Sequence, residues 1–178
     1  MKSTPRFLSR LLPFVAALGL LAAGCASQPK ARSYGLRIEL DPDDPDFAST
    51  SIQVDIIGAN EVADLPKWQN YSVTSYWIPG DLMRRGAVKA TLEFGLGKSP
   101  VLTFDSSDPL WNRWISTGAL HLVILADLPG ITGDQPGNAD PRRLILPLDR
   151  RKWPRGVSTI DIRIQASGIK LLTPIKQR

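Results

Sequence analysis

An all-β fold, two sheets packed as a sandwich with one or two short helical insertions, is predicted by three observations. Four segments alternate apolar and polar residues with period two: Leu36 to Leu40, Ile52 to Ile56, Val88 to Phe94 and Ile160 to Ile164. Four others are shorter or more uniformly apolar: Val101 to Phe104, Ala119 to Ala126, Leu144 to Leu148 and Ile169 to Leu172. The connections between them carry turn residues at the spacing of an all-β domain. Eight strands, half of them with one wet face and one dry face, need two sheets to bury the dry faces against each other.

Residues 1–24 read as a secretory signal that is processed and does not join the fold. Lys2, Arg6 and Arg10 precede a thirteen-residue apolar run from Leu11 to Ala23, too short to span a bilayer as a helix. The run ends in Ala22-Ala23-Gly24-Cys25, with Leu20 and Leu21 upstream. This resembles the lipobox of bacterial lipoproteins, which implies that Cys25 takes a diacylglyceryl group and becomes the new N-terminus. Alanine stands three residues before Cys25, where the lipobox usually has leucine. An ordinary cleaved signal is the alternative, and it would leave one free thiol in a secreted protein. Ala26 follows the cysteine in place of the aspartate that commonly retains lipoproteins at the inner membrane, so the expected location is the outer membrane, facing the periplasm.

The mature chain starting at Cys25 has 154 residues, and removing Lys2, Arg6 and Arg10 from 22 basic residues leaves 19 against 17 acids. So even a balance offers no clustered surplus for a nucleic-acid partner. With the single cysteine carrying lipid, no intrachain disulfide is possible, and burial alone must stabilise one domain over 34–178. Residues 25–33 are the lipidated terminus and a polar tether.

After the first strand, Asp41-Pro42-Asp43-Asp44-Pro45-Asp46 reads as an acidic stop. Leu65, Trp68 and Tyr71 follow helical spacing beside Pro66, whereas Ser72 to Ile78 reads as extended. Asp108-Pro109 has the N-cap and first-turn signature of a short helix. Leu120 to Leu125 reads as a strand covered on both faces, Asp127 to Pro141 as a long loop, and Ser167-Gly168 as a tight turn.

No catalytic or metal-binding set emerges. His121 is the one histidine and sits in an apolar strand, so it reads as structural. Gly95-Leu96-Gly97-Lys98-Ser99 lacks the first glycine of a phosphate-binding loop and is followed by Pro100, so it reads as a turn between strands. Asp41, Asp43, Asp44 and Asp46 are interrupted by prolines and lack the later glutamate of a calcium loop. No metal and no cofactor beyond the lipid on Cys25 is expected. Arg142, Arg143, Arg150, Arg151, Lys152 and Arg155 form a basic cluster, read either as a surface for an acidic partner or lipid headgroups or as solvated strand ends. Trp68, Tyr71, Tyr76, Trp77, Trp111 and Trp114 lie in the two non-sheet segments. They could form a sugar platform or a protein interface, and by default they clamp helices onto a sheet.

The order of parts resembles the outer-membrane lipoprotein of bacterial type VI secretion systems, the TssJ (SciN-like) family. The resemblance is carried by the lipobox, the opening LRIELDPDDPD, the strand order, and the closing hairpin Thr159 to Ile164 turning into Ile169 to Leu172. The acidic segment lacks the family's Asn-Pro spacing, and Asp127 to Pro141 is longer than the corresponding loop. The resemblance implies a transthyretin-like sandwich that anchors a TssM-like inner-membrane partner, through its periplasmic domain, to the outer membrane. The family's partner loop after the first strand would map to Asp41 through Ser49, with Asp41, Asp43, Asp44, Asp46 and Phe47 as contacts.

The sequence thus reads as a non-enzymatic lipoprotein, attached to a membrane by its lipid, that holds a protein partner. A periplasmic carbohydrate or peptidoglycan binder using exposed tryptophans, and an envelope enzyme whose site the sequence hides, remain the alternatives.

Overall fold

The computed structural model describes residues 30–176, so the signal segment, Cys25 and most of the tether lie outside the described residues. Strands form at all eight expected places: β1 (Gly35–Leu40), β2 (Ile52–Asn60), β3 (Lys89–Phe94), β4 (Val101–Phe104), β5 (Ala119–Ala126), β6 (Arg143–Pro147), β7 (Thr159–Gln165) and β8 (Gly168–Leu171). They build two four-stranded sheets, ordered β4-β1-β7-β8 and β3-β2-β5-β6. Neighbours are antiparallel except β1 and β7, which run parallel from Gly35 opposite Thr159 to Leu40 opposite Ile164.

The alternation read from the sequence sets the core. Leu36, Ile38 and Leu40 with Ile160, Ile162 and Ile164 face Ile52, Val54 and Ile56 with Leu122, Ile124, Leu144 and Leu146. Registry places Ile38 beside Ile162 in one sheet, and Ile56 beside Ile124 in the other. Each such side chain removed from water contributes roughly 1.5–3 kcal/mol. The free edge of β6 is closed by one side chain: Ile145 N donates to Asn138 Oδ1 at 2.6 Å, and Asn138 Nδ2 donates to Ile145 O at 3.2 Å. That pairing hides the backbone groups an edge strand would otherwise offer to another chain.

Helical segments are more numerous than predicted: α1 (Pro45–Ala48), α2 (Leu65–Asn70), α3 (Val73–Tyr76), α4 (Leu82–Gly86) and α5 (Pro109–Ser116). The expected extended run after Ser72 is a helical turn, because the Ser72 hydroxyl accepts from Ser75 N at 2.9 Å and caps it. Asp81 caps α4 in the same way, accepting from Arg84 N at 2.8 Å. In both places a local hydrogen bond outweighs the period of the apolar residues. The Asp108-Pro109 signature is obeyed at α5.

These helices change one sheet face. The sequence puts Asp55 on a wet face of β2, yet α2, α3 and α4 pack on the outer side of that sheet, and Asp55 is 0% exposed. Ile57, Ala59, Val123 and Leu125 form a second core there with Trp68, Val73 and Tyr76. Gly58 is required on the opposite, inner face, in line with Val54 and Ile56, since a Cβ there would overlap the Trp114 ring of the main core.

The sandwich has two distinct ends. The chain enters where β1 begins: Ala31 bridges Asp149, and Gly35 N donates to Ser158 O at 2.9 Å. The acidic turn after Leu40 lies at the other end, with the β3–β4 turn, the long β5–β6 connection and the β7–β8 turn. Six residues of extended β1 separate the two, about 20 Å.

Candidate functional site

At the end opposite chain entry, the acidic turn is held from several sides. Asp41 N donates to Ile164 O at 2.9 Å, and Asp41 Oδ2 accepts from Gln165 Nε2 at 2.8 Å. The Gln165 amide keeps the Asp41 carboxyl below the ordinary carboxylate range. Asp43 is exposed, and Asp44 is half-buried and caps α1, its Oδ1 accepting from Phe47 N at 2.9 Å. Of Asp46, the backbone lies in α1.

Phe47 differs from the expectation. It is 7% exposed and belongs to the main core, so its ring is not an anchor offered to a partner. The reason is α1 itself: one helical turn after Pro45 swings the ring inward under the β1–β2 connection. The structure brings Asp41, Asp43 and Asp44 together on one turn and takes Phe47 out of that set.

A buried ionic network ties the long β5–β6 connection to α3. Arg142 donates from Nε to Asp140 Oδ1 at 3.0 Å, and from Nη2 to Asp134 Oδ1 at 2.8 Å and Gly133 O at 2.7 Å. Asp134 in turn accepts from Ser72 Oγ at 2.6 Å and from Thr74 N at 3.0 Å. Burial would raise its pKa, but Ser72, Thr74 and Arg142 outweigh it and hold it at about 2. Arg143 donates to the carbonyls of Trp68, Gln69 and Tyr71 at the end of α2. Arg142 and Arg143 are therefore internal braces, neither a partner surface nor solvated strand ends. Arg143 satisfies carbonyls that the end of α2 leaves unpaired, and Arg142 does the same for Gly133 in the β5–β6 connection.

A second network sits under α4. Asp55 accepts from Arg84 Nε at 2.9 Å, Tyr76 Oη at 2.8 Å and Thr91 Oγ1 at 2.5 Å. Arg84 also lies 4.2 Å from the Trp77 ring centroid. Alternation with Gln53 put Asp55 on a wet face, and the one signal against that reading was the apolar Ile57 two residues further along the same face.

The tryptophans serve packing. Trp111 and Trp114 meet edge to face with centroids 5.3 Å apart, both lie against Phe104, and Trp153 is buried beside Tyr34. A stacking platform for sugars is thereby removed from Trp111 and Trp153. His121 is half-buried opposite Pro147, and burial lowers its pKa. An open groove of about 430 Å³ between α2, α4 and α5 is lined by Lys67, Trp68, Leu82, Met83, Arg113 and Trp114, with no nucleophile and base paired in it. Among the described residues, no group of three or more His, Cys, Asp or Glu side chains is placed to hold a metal ion. No helix among them is long and apolar enough to cross a membrane.

Compared with solved structures, the chain aligns with Serratia marcescens Lip, a membrane bound component of the type VI secretion system. The TM-score is 0.51 at 13% identity, over 82% of this chain and 99% of that one. It shares the fold of Lip. A chain of the structure described as the type VI secretion protein TssM C-terminal domain from EAEC aligns with TM-score 0.50 at 14% identity, over 79% of this chain and 100% of that one. No protein-family model matches the chain, and no curated protein matches it in sequence. The match takes in nearly all of Lip's own length.

Proposed function

We propose that this protein is a TssJ-like outer-membrane lipoprotein of a type VI secretion system. In this reading it holds the periplasmic domain of a TssM-like inner-membrane partner and catalyses no reaction. The observation that carries the reading is the fold shared with Lip along 99% of that chain, together with Ala22-Ala23-Gly24-Cys25 ahead of the domain. The two ends of the sandwich supply the logic. A lipid on Cys25 holds the end where β1 begins near the bilayer, and the acidic turn at Asp41, Asp43 and Asp44 points away from it, toward the periplasm. Loops carried on rigid strands are the usual place for a binding surface, and two prolines limit the entropy lost when this one is ordered by a partner.

The test separates attachment from capture. Cys25→Ser should release the protein from outer-membrane fractions, because several acyl chains hold a protein far more firmly than the domain's surface can. Asp43→Lys with Asp44→Asn should leave folding and attachment intact, the asparagine keeping the cap on α1. That double variant should lose co-purification with the TssM-like periplasmic domain and stop secretion. Normal capture by it, with loss on changing Asp127 to Asp134, would move the partner surface to the neighbouring connection.

A further inference from the structure

The tether and the C-terminal segment converge at the entry end of the sandwich. Arg32 N donates to Leu148 O at 3.2 Å, and Lys176 N donates to Lys152 O at 2.8 Å. Lys30, Arg32, Arg150, Lys152 and Lys176 are thereby gathered where the chain enters, with Arg155 on the same β6–β7 connection. The Arg32 guanidinium lies 5.8 Å from the Tyr34 ring centroid, and Tyr34 packs on Trp153 at 5.8 Å, so an aromatic pair fastens this basic layer to the core. None of these six cations forms an ion pair with the described residues. The one acid of the β6–β7 connection, Asp149, is occupied by Arg151 at 2.7 Å. Glu61, Asp64, Asp105 and Asp108 also belong to this end, but on the β2–α2 and β4–α5 connections. Asp64 and Asp108 are turned to backbone amides of Asn60 and Leu110.

We infer that this surface lies on anionic lipid headgroups of the bilayer carrying the Cys25 lipid, and that it fixes the orientation of the domain. The inference rests on the lipoprotein reading above. Four residues lie between Cys25 and Lys30, and the five steps across them span at most about 17 Å, so the entry end stays within about two Debye lengths of the headgroups. The far end, another 20 Å or more away along the strands, lies beyond the reach of the surface potential. Each basic side chain near an anionic leaflet multiplies occupancy of the docked state by roughly fivefold. A lipid anchor thus becomes a directed one, with the Asp41 to Ser51 connection pointing outward.

Acylation of Cys25 leaves an introduced cysteine as the chain's one free thiol, which permits a direct test on the full lipidated protein. Ser158→Cys and Ser167→Cys place a fluorescent label just outside either end of β7, roughly 25 Å apart, at exposed positions. Proteins are floated on vesicles of phosphatidylcholine, or of phosphatidylcholine with 30% phosphatidylglycerol, both carrying a headgroup quencher. We expect at least twofold stronger quenching at 158 than at 167, seen with phosphatidylglycerol and lost in 0.5 M salt. Arg150→Glu with Lys152→Glu and Lys176→Glu should abolish the difference while near-ultraviolet circular dichroism stays unchanged. Equal quenching of the two labels on protein-bearing vesicles, or a difference independent of phosphatidylglycerol, overturns the orientation and leaves a partner protein as the better occupant. Failure of the protein to float on any vesicle overturns the anchor, and this inference with it.

Discussion

Asp55→Ala is the sharpest probe of the packing on the outer face of the β3-β2-β5-β6 sheet. The carboxylate is fully buried and receives three side-chain hydrogen bonds, from Arg84, Tyr76 and Thr91. Removing one partner of a buried ion pair costs about 3–5 kcal/mol. Arg84 is 25% exposed and can turn to water, which lowers that part to roughly 2 kcal/mol. Tyr76 is fully buried and its hydroxyl loses its partner, adding about 1 kcal/mol. We therefore expect a loss near 3 kcal/mol, read as a shift in the urea midpoint at unchanged slope, or about 6–12 °C in Tm. A double-mutant cycle with Tyr76→Phe should return a coupling of about 1 kcal/mol. Asp161→Ala is the control: it holds the same alternating place in β7, but its side chain is 41% exposed and 3.9 Å from Arg37. It should stay within about 0.5 kcal/mol of the parent. Equal losses at Asp55 and Asp161 would refute the claim that the helices bury one sheet face and leave the other open.

Phe47→Ala should destabilise the domain by about 3–4 kcal/mol through a core cavity, seen by urea unfolding and not merely as lost partner capture. Ile162→Asp or Val54→Asp should leave no folded protein by circular dichroism, since each puts an unpaired carboxylate between the sheets. Asp134, with its folded pKa lowered to about 2, contributes stability that is fully present above the unfolded value near 3.9 and is lost as pH falls toward 2. Discounted for its partial exposure, this amounts to about 1 kcal/mol. Thermal unfolding of Asp134→Asn should therefore converge with that of the parent between pH 4 and 2, and a constant gap across that range would count against the Arg142–Asp134–Ser72 brace.

Strand placement was legible because period-two alternation is a local property: Leu36, Ile38 and Leu40, or Ile160, Ile162 and Ile164, must share a face wherever their sheet goes. The Asp108-Pro109 start of α5 was legible for the same reason, its cap lying within four residues. The acidic turn could be located but not its inner side, because whether Phe47 points outward depends on one helical turn at Pro45 that propensity does not settle. The fates of Asp55, Arg142 and Arg143 were out of reach. Each depends on what another segment lays over it: Arg84 of α4 on Asp55, the Gly133 and Asp134 loop on Arg142, the end of α2 on Arg143. A residue's neighbours along the chain determine its face, whereas its exposure follows from chain far away in sequence. That is why the strands, and with them the sandwich, were determined by the sequence alone, while the buried charges and the two-ended arrangement of tether and acidic turn were decided by the tertiary structure.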